Sequence, residues 1–310
     1  MSEQEPKRKY GTMLGVFIPS VLTILGAIMY LRFGWVVGNA GLYSTMAIVI
    51  LANVITLVTA FSVSSLATSQ RVGVGGAYFL ISRSLGVEVG GAIGLPLYLS
   101  QSVSLTLYCY ALAECIGMYW AEAPTQLLAA IFIVLVTAGA LKATAWVLKS
   151  QIFIFLLVLI SIASLFLGVD WRVPVSIPEG NYLHEDAHGF WQVFAVFFPA
   201  VTGILTGLSL SGDLKSPERS LPIGTLGAVL LGFSVYLIIP LALAHYPDAE
   251  ELRMNPLVWT KAAAFPLLIF PGLLAAILSS AIGSILSAPR TLQALSDDGV
   301  LPAYVGKTTD

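Results

Sequence analysis

Charge is what this chain has least of. Asp, Glu, Lys and Arg make up 10% of its 310 residues, against about 25% in a soluble domain. Hydrophobic residues make up 57%, with a mean hydropathy of +0.88. That balance excludes a soluble globular domain and leaves a polytopic α-helical membrane protein in the lipid bilayer. A net charge of −2 and a pI near 5.9 offer no basic footprint, so no nucleic acid is expected as a partner. Cysteine is confined to Cys109 and Cys115, six residues apart on one expected helix. Helical rise separates them by roughly 9 Å along the axis, too far for a disulfide, so both are read as buried, reduced thiols. Neither a Walker-type loop, a metal cluster nor a hydrolytic triad occurs, so neither an enzyme nor a cofactor is expected. The small-residue cleavage site of a signal peptide is also missing, so the first apolar run is expected to remain as a membrane helix.

What is present is apolar length. Apolar segments fall at about 12–37, 42–68, 88–119, 124–142, 147–169, 190–211, 221–246 and 264–289, each near or above the roughly 20 residues that cross a bilayer. Residues 1–11 form a lead, 12–169 hold spans one to five, 190–289 hold spans six to eight, and 290–310 form a tail. With the lead, the tail and the loops around 70–87, 142–149 and 212–220 on one side, that side carries 11 of the 15 Lys and Arg residues. The positive-inside rule then puts the N-terminus in the cytoplasm. The opposite loops, 170–189 and 247–263, are rich in proline and acid and are expected to form short caps.

Span six is interrupted. Phe197-Phe198-Pro199-Ala200-Val201-Thr202-Gly203-Ile204-Leu205-Thr206-Gly207 places one proline, two glycines and two threonines within nine residues. Proline removes a backbone donor and glycine is costly inside a helix. Lipid satisfies none of the freed groups, so such a break persists only against protein or a polar cavity. Span one repeats the theme in Leu22-Thr23-Ile24-Leu25-Gly26-Ala27-Ile28, after Pro19. Either close packing through small residues or an unwound centre accounts for one such span. Two of them, five spans apart and therefore oppositely oriented, match a five-helix inverted-topology repeat with a midplane site. The second repeat then holds only spans six to eight, so the chain is expected to be a fragment or to draw the rest from a second polypeptide.

Four stretches carry a family resemblance: Arg71 to Gly86 (RVGVGGAYFLISRSLG), FFPAVTGILTG at 197–207, SGDLKSPERSLPIGT at 211–225 and LSSAIGSILSAPRTLQALSDDGVLP at 278–302. In order and combination they resemble the cation-chloride cotransporters, of the amino acid–polyamine–organocation superfamily. The resemblance implies an all-α, five-plus-five inverted-repeat fold with broken spans one and six. It also implies alternating-access symport of Na+, K+ and Cl−. One sodium, one potassium and two chlorides would make the cycle electroneutral. The setting would be the plasma (inner) membrane, with a homodimer left open. The family's core has twelve spans, and spans nine to twelve are not in this chain.

Hard cations prefer carbonyl and hydroxyl oxygens, and span eight offers Ser279 and Ser280 beside Ala276. Those hydroxyls either back-bond to the preceding turn or hold sodium. The resemblance implies sodium held by Ser279, Ser280 and the carbonyls of Ala276, Leu22 and Leu25. For potassium it implies Tyr108, the carbonyls of Thr23, Ile24 and Pro199, and the Thr202 hydroxyl. Asparagine usually stands where Thr23 does. From the residues alone, an aromatic in an apolar helix such as Tyr108 is more often core than ligand. Spans without a central Lys or Arg leave chloride to backbone amides at helix starts. Unwinding would expose those of Gly26, Ala27 and Ile28 in span one, and of Gly203, Ile204 and Leu205 in span six. The resemblance places two chloride sites on these clusters, the second completed by a span-ten tyrosine not found here.

Arg32 and Glu114 stand at similar depth near the outer ends of spans one and three. An unpaired intramembrane charge is costly, so the two are expected to pair. The pair is open to three roles: a static salt bridge, an extracellular gate, which the resemblance favours, or a proton relay through Glu114. Two other functions stay open: an amino acid or polyamine permease of the same fold, and a non-transporting chain that needs a partner.

Overall fold

The computed structural model describes residues 10–69, 72–117, 120, 122–175 and 188–306, with the side chains of 141–147 outside that description. Of the sequence-level expectations, most of the charged lead, Arg71, the Lys142 side chain, the middle of the 170–189 loop and Lys307 lie outside the described residues. The described elements are helices, with one isolated bridge between Tyr10 and Leu214. A π-type turn, Met13–Phe17, leads into α1 (Ile18–Ile24), followed by α2 (Ala27–Ser69), α3 (Gly76–Leu85), α4 (Val87–Gly117) and α5 (Thr125–Gly168). Next come α6 (Phe190–Phe197), a 3₁₀ turn (Phe198–Val201), α7 (Ile204–Ser209), α8 (Pro217–Ala244), α9 (Ala249–Met254), α10 (Val258–Ala262) and α11 (Pro266–Asp297). This is the all-α architecture expected of the sequence.

Among the described residues, five helical stretches are long and apolar enough to cross a membrane: Met13–Ser69, Leu148–Gly168, Phe190–Ser209, Pro217–Ala244 and Pro266–Asp297. The first holds two expected spans. They are divided inside α2 at Gly41, where φ 72° and ψ 176° break the helix; a side chain at that φ would clash, so glycine supplies the turn. The 31 residues of α4 have the length but fall short in apolarity.

Two boundaries differ from expectation. Helix continues through 142–149, where a loop between spans four and five was expected, so that α5 counts 44 residues. Straight, it would reach ~66 Å, about twice the hydrocarbon thickness. Its two apolar stretches, Thr125–Ala140 and Leu148–Gly168, keep the two spans recognisable. At the other boundary α11 runs past Pro289 to Asp297. Arg290 continues that helix and bonds Asp213 at 2.6 Å, so the first turns of the expected tail belong to span eight.

The surface is apolar where a soluble helix would be polar. Leu99, Val103 and Leu107, at 59%, 67% and 64% exposure, form one stripe along α4. Such a stripe is unfavourable in water and neutral against lipid tails.

Spans one and six run in opposite directions. Trp35 meets His188 at 5.0 Å between rings, whereas Tyr10 N donates to Asp213 O at 3.1 Å and Lys215 N to Tyr10 O at 2.9 Å. Between these ends, Gly207 of α7 faces Ser20 and Val16, and Gly203 faces Ile24. That antiparallel crossing is what an inverted repeat requires of its broken members. At the Tyr10 end, Ser211 Oγ donates to Gly73 O at 2.7 Å, and Asp298 receives Arg83 at 2.7 Å and Tyr78 at 2.9 Å. At the far end, α9 starts on an Asp248 cap that accepts from the amides of Glu250 and Glu251, both at 3.0 Å. It lies on the C-terminal half of span one, where Gly34 and Gly38 leave room for Leu252 and Arg253. Glu251 receives Lys261 and, at 2.6 Å, the Tyr246 hydroxyl. Lys261, and next Tyr246, hold the Glu251 carboxyl below its usual range. Burial and the same carboxylate push the Tyr246 hydroxyl up.

Candidate functional site

The two helix breaks meet at one place. In span one, α1 ends at Ile24, Leu25 leaves the helical region at φ −78° and ψ 43°, and α2 begins at Ala27. The last carbonyls of α1 and the first amides of α2, those of Ala27 and Ile28 with Gly26 before them, therefore have no partners along their own helices. In span six the 3₁₀ turn ends at Val201, Thr202 sits at φ −87° and ψ 7°, and α7 begins after Gly203. That frees the amides of Gly203, Ile204 and Leu205 in the same way, although α7 is only six residues long. Glycine brings the breaks together: a Cβ on Gly203 would lie 2.6 Å from the Ile24 nitrogen and 2.9 Å from the Thr23 carbonyl carbon. The Thr23 hydroxyl bonds both Pro19 O, at 2.9 Å, and the Thr206 hydroxyl, at 3.1 Å.

Span eight completes the cluster. The position a Cβ would take on Gly26 has three nearest neighbours, all oxygens: Thr23 O at 2.9 Å, Ser280 Oγ at 3.1 Å and Leu22 O at 3.7 Å. Ser280 also back-bonds to Ala276 O at 3.1 Å, the local alternative expected for it. Ser279 does not; its Oγ is buried without a hydrogen-bond partner. Tyr108 reaches Ser280 from α4 and packs with Leu278 and Ala281. Leu22, Leu25, Gly26 and Ala276 are buried, while Thr23 and Tyr108 are half-buried.

The span-six residues expected to hold a cation are engaged with one another. The Thr202 hydroxyl donates to Pro199 O at 2.8 Å, and both residues are exposed. The Ile24 carbonyl already accepts the Tyr236 hydroxyl. Arg32 and Glu114 are both exposed and do not pair with each other, nor with another charged group among the described residues. Cys109 and Cys115 are buried and free, as their spacing required.

Two residues at the breaks escaped the sequence analysis. Thr206 stands one helical turn after Thr202 and meets Thr23, a spacing that could have been read. Tyr236 of α8 bonds Ile24 O and reaches Ala200 O at 3.4 Å. Its ring meets Phe33 and Phe197, each at 5.5 Å between centroids. One tyrosine in an apolar helix gives no sequence signal, since most such rings are core.

An amino acid permease family model matches residues 15–309. The chain belongs to the amino acid permease family. Among curated relatives, solute carrier family 12 member 2 of mouse is 30% identical over 96% of the chain. The human protein of that name is likewise 30% identical over 96%, and solute carrier family 12 member 9 of Xenopus laevis is 33% identical over 96%. The chain spans 30% of the mouse protein's length, 29% of the human and 38% of the frog. These relatives bear out the resemblance to the cation-chloride cotransporters read from the four stretches. Family membership and apolar helices together make the chain an integral membrane protein of a transporter family, not an enzyme.

Proposed function

We propose that this chain is a secondary active symporter that moves Na+, K+ and Cl− together by alternating access, without net charge. The observation that carries this is the convergence of Thr23 O, Leu22 O and Ser280 Oγ on Gly26, at the break of span one. Two broken helices and the buried, unpartnered Ser279 adjoin it. Sodium is held there by Ser279, Ser280 and the carbonyls of Leu22, Leu25 and Ala276. Potassium takes the wider gap between the breaks, held by Tyr108, the carbonyls of Thr23, Ile24 and Pro199, and the Thr202 hydroxyl. Chloride binds the amides of Gly26, Ala27 and Ile28 and those of Gly203, Ile204 and Leu205, where backbone donors and helix dipoles attract an anion without a buried cation. Arg32 and Glu114 close over the site when the outer side shuts. The protein sits in the plasma (inner) membrane with its N-terminus in the cytoplasm, as its Lys and Arg distribution favours.

A second function has its own support in the family description. The span-one amides suit the carboxylate of an amino acid as well as they suit chloride. Reconstitution into liposomes separates the two. Chloride-dependent uptake of rubidium and sodium supports ion symport. Amino acid counterflow indifferent to chloride overturns it, and flux that appears only with another chain makes this one a dependent subunit.

Tyr108→Phe tests the potassium site. Removing one hydroxyl ligand is expected to raise the rubidium KM about tenfold, the order of one lost hydrogen bond to a charged group, while the sodium KM moves less than about twofold. Equal losses for both ions in uptake assays would remove Tyr108 from the ligand set.

A further inference from the structure

The chemistry assigned above uses spans one, three, six and eight, yet a side chain of span seven also bridges the two breaks. Tyr236 is completely buried on α8. Its hydroxyl donates to Ile24 O, the last carbonyl of α1, and lies 3.4 Å from Ala200 O in the 3₁₀ turn of span six. A phenol has one proton to give. The proton goes to Ile24 and none is left for Ala200. The oxygen therefore acts as a spacer between two carbonyls that would otherwise repel or collapse inward.

The ring cannot swing away. It stacks on Phe33 at 5.5 Å and 21° and meets Phe197 edge-on at 5.5 Å, while Phe33 and Phe197 meet at 5.2 Å. Both phenylalanines are fully buried, one on span one beyond its break and one on span six before its break. The aromatic triad thus joins the distal halves of the broken spans to span seven, and the hydroxyl sets the gap between the breaks themselves. Gly232, one turn earlier on α8, leaves space for the Ile24 side chain and lets the helix come this near.

We propose that Tyr236 is a positioning residue that fixes the separation of the Ile24 and Ala200 carbonyls, and so decides which alkali cation fits between the breaks. This rests on the assignment of potassium to the gap between them. Discrimination among cations depends on the number, spacing and field of the oxygens around them. The Tyr236 bond withdraws one lone pair of Ile24 from the cage and leaves the other for the ion.

Tyr236→Phe keeps the ring and its stacking and removes only the hydroxyl. Uptake by the reconstituted protein is expected to show a rubidium KM about tenfold higher, with kcat changed less than about twofold, the loss of a single hydrogen bond at the site. The preference between potassium, rubidium and caesium is expected to shift, while the sodium and chloride KM values hold. An unchanged rubidium KM and cation order would overturn the role. So would parallel loss of all three ions together with kcat, which marks a structural residue. Amide hydrogen exchange gives a readout independent of transport. Exchange over residues 22–28 and 199–205 is expected to quicken in the variant. Quickened exchange in a protein that carries no rubidium keeps the spacer and overturns the potassium assignment. Unchanged exchange overturns the spacer even where rubidium is carried.

Discussion

Rubidium uptake by the double variant Ser279→Ala, Ser280→Gly is expected to lose its dependence on sodium. The two hydroxyls are the side-chain oxygens that span eight offers to the cluster, and they differ in how they are held. Ser280 Oγ lies 3.1 Å from the Cβ position of Gly26 and also bonds Ala276 O. Ser279 Oγ is buried with its hydrogen-bonding capacity unused. An orphaned buried hydroxyl costs free energy, and an oxygen-seeking cation removes that cost. Each hydroxyl to a charged partner is worth about 1.5–3 kcal/mol, so losing both weakens sodium binding by roughly 10²- to 10⁴-fold. The amides proposed for chloride lie on other spans, so chloride affinity, expected to hold in the variant, is the internal control. Sodium activation that survives in the double variant would take the ion away from span eight.

The second large effect is expected from a single methyl group. Gly26→Ala puts a Cβ where the three nearest atoms are Thr23 O at 2.9 Å, Ser280 Oγ at 3.1 Å and Leu22 O at 3.7 Å. The Thr23 contact is with backbone at the end of a helix, so relief requires α1 to shift. The methyl also crowds the oxygens proposed to hold the ion. Overpacking of this kind costs about 1–3 kcal/mol, and the same range applied to the transport cycle predicts a roughly 10- to 100-fold fall in flux. The measurement is chloride-dependent rubidium uptake normalised to protein in the membrane. Thermal unfolding separates the two origins. A loss of flux with an unchanged midpoint assigns the effect to the ion space, and a matching fall in the midpoint assigns it to helix packing. Full flux in the variant would mean that the oxygens around Gly26 hold no ion.

Both variants act where polar atoms and glycine coincide, and that coincidence was largely legible in the amino acid order. Pro199, Thr202, Gly203 and Gly26 break helices for reasons local to the chain: a missing donor, a missing Cβ and a side-chain oxygen that competes for the backbone. The spacing of two such breaks by five spans implied the antiparallel crossing that Thr23–Thr206 and Gly203–Ile24 now make. Local rules served less well at helix ends. Nothing local stops α5 at residue 142, and a proline at 289 does not end α11. Continuation there depends on which groups satisfy the backbone, as Arg290 illustrates by donating a guanidinium N–H to Leu286 O at 3.3 Å.

The amino acid sequence by itself determined that this protein belongs in a membrane, that it is helical, and that spans one and six are interrupted. Each of these follows from composition or from bonds within one segment. Only the tertiary structure decided which oxygens share a space. Leu22, Thr23 and Ser280 surround one point, Tyr236 joins two carbonyls from different spans, and Arg32 stands apart from Glu114. Those outcomes rest on contacts between residues up to 258 positions apart, Leu22 and Ser280 among them. No periodicity in the chain encodes distances of that kind; packing of whole helices against one another sets them.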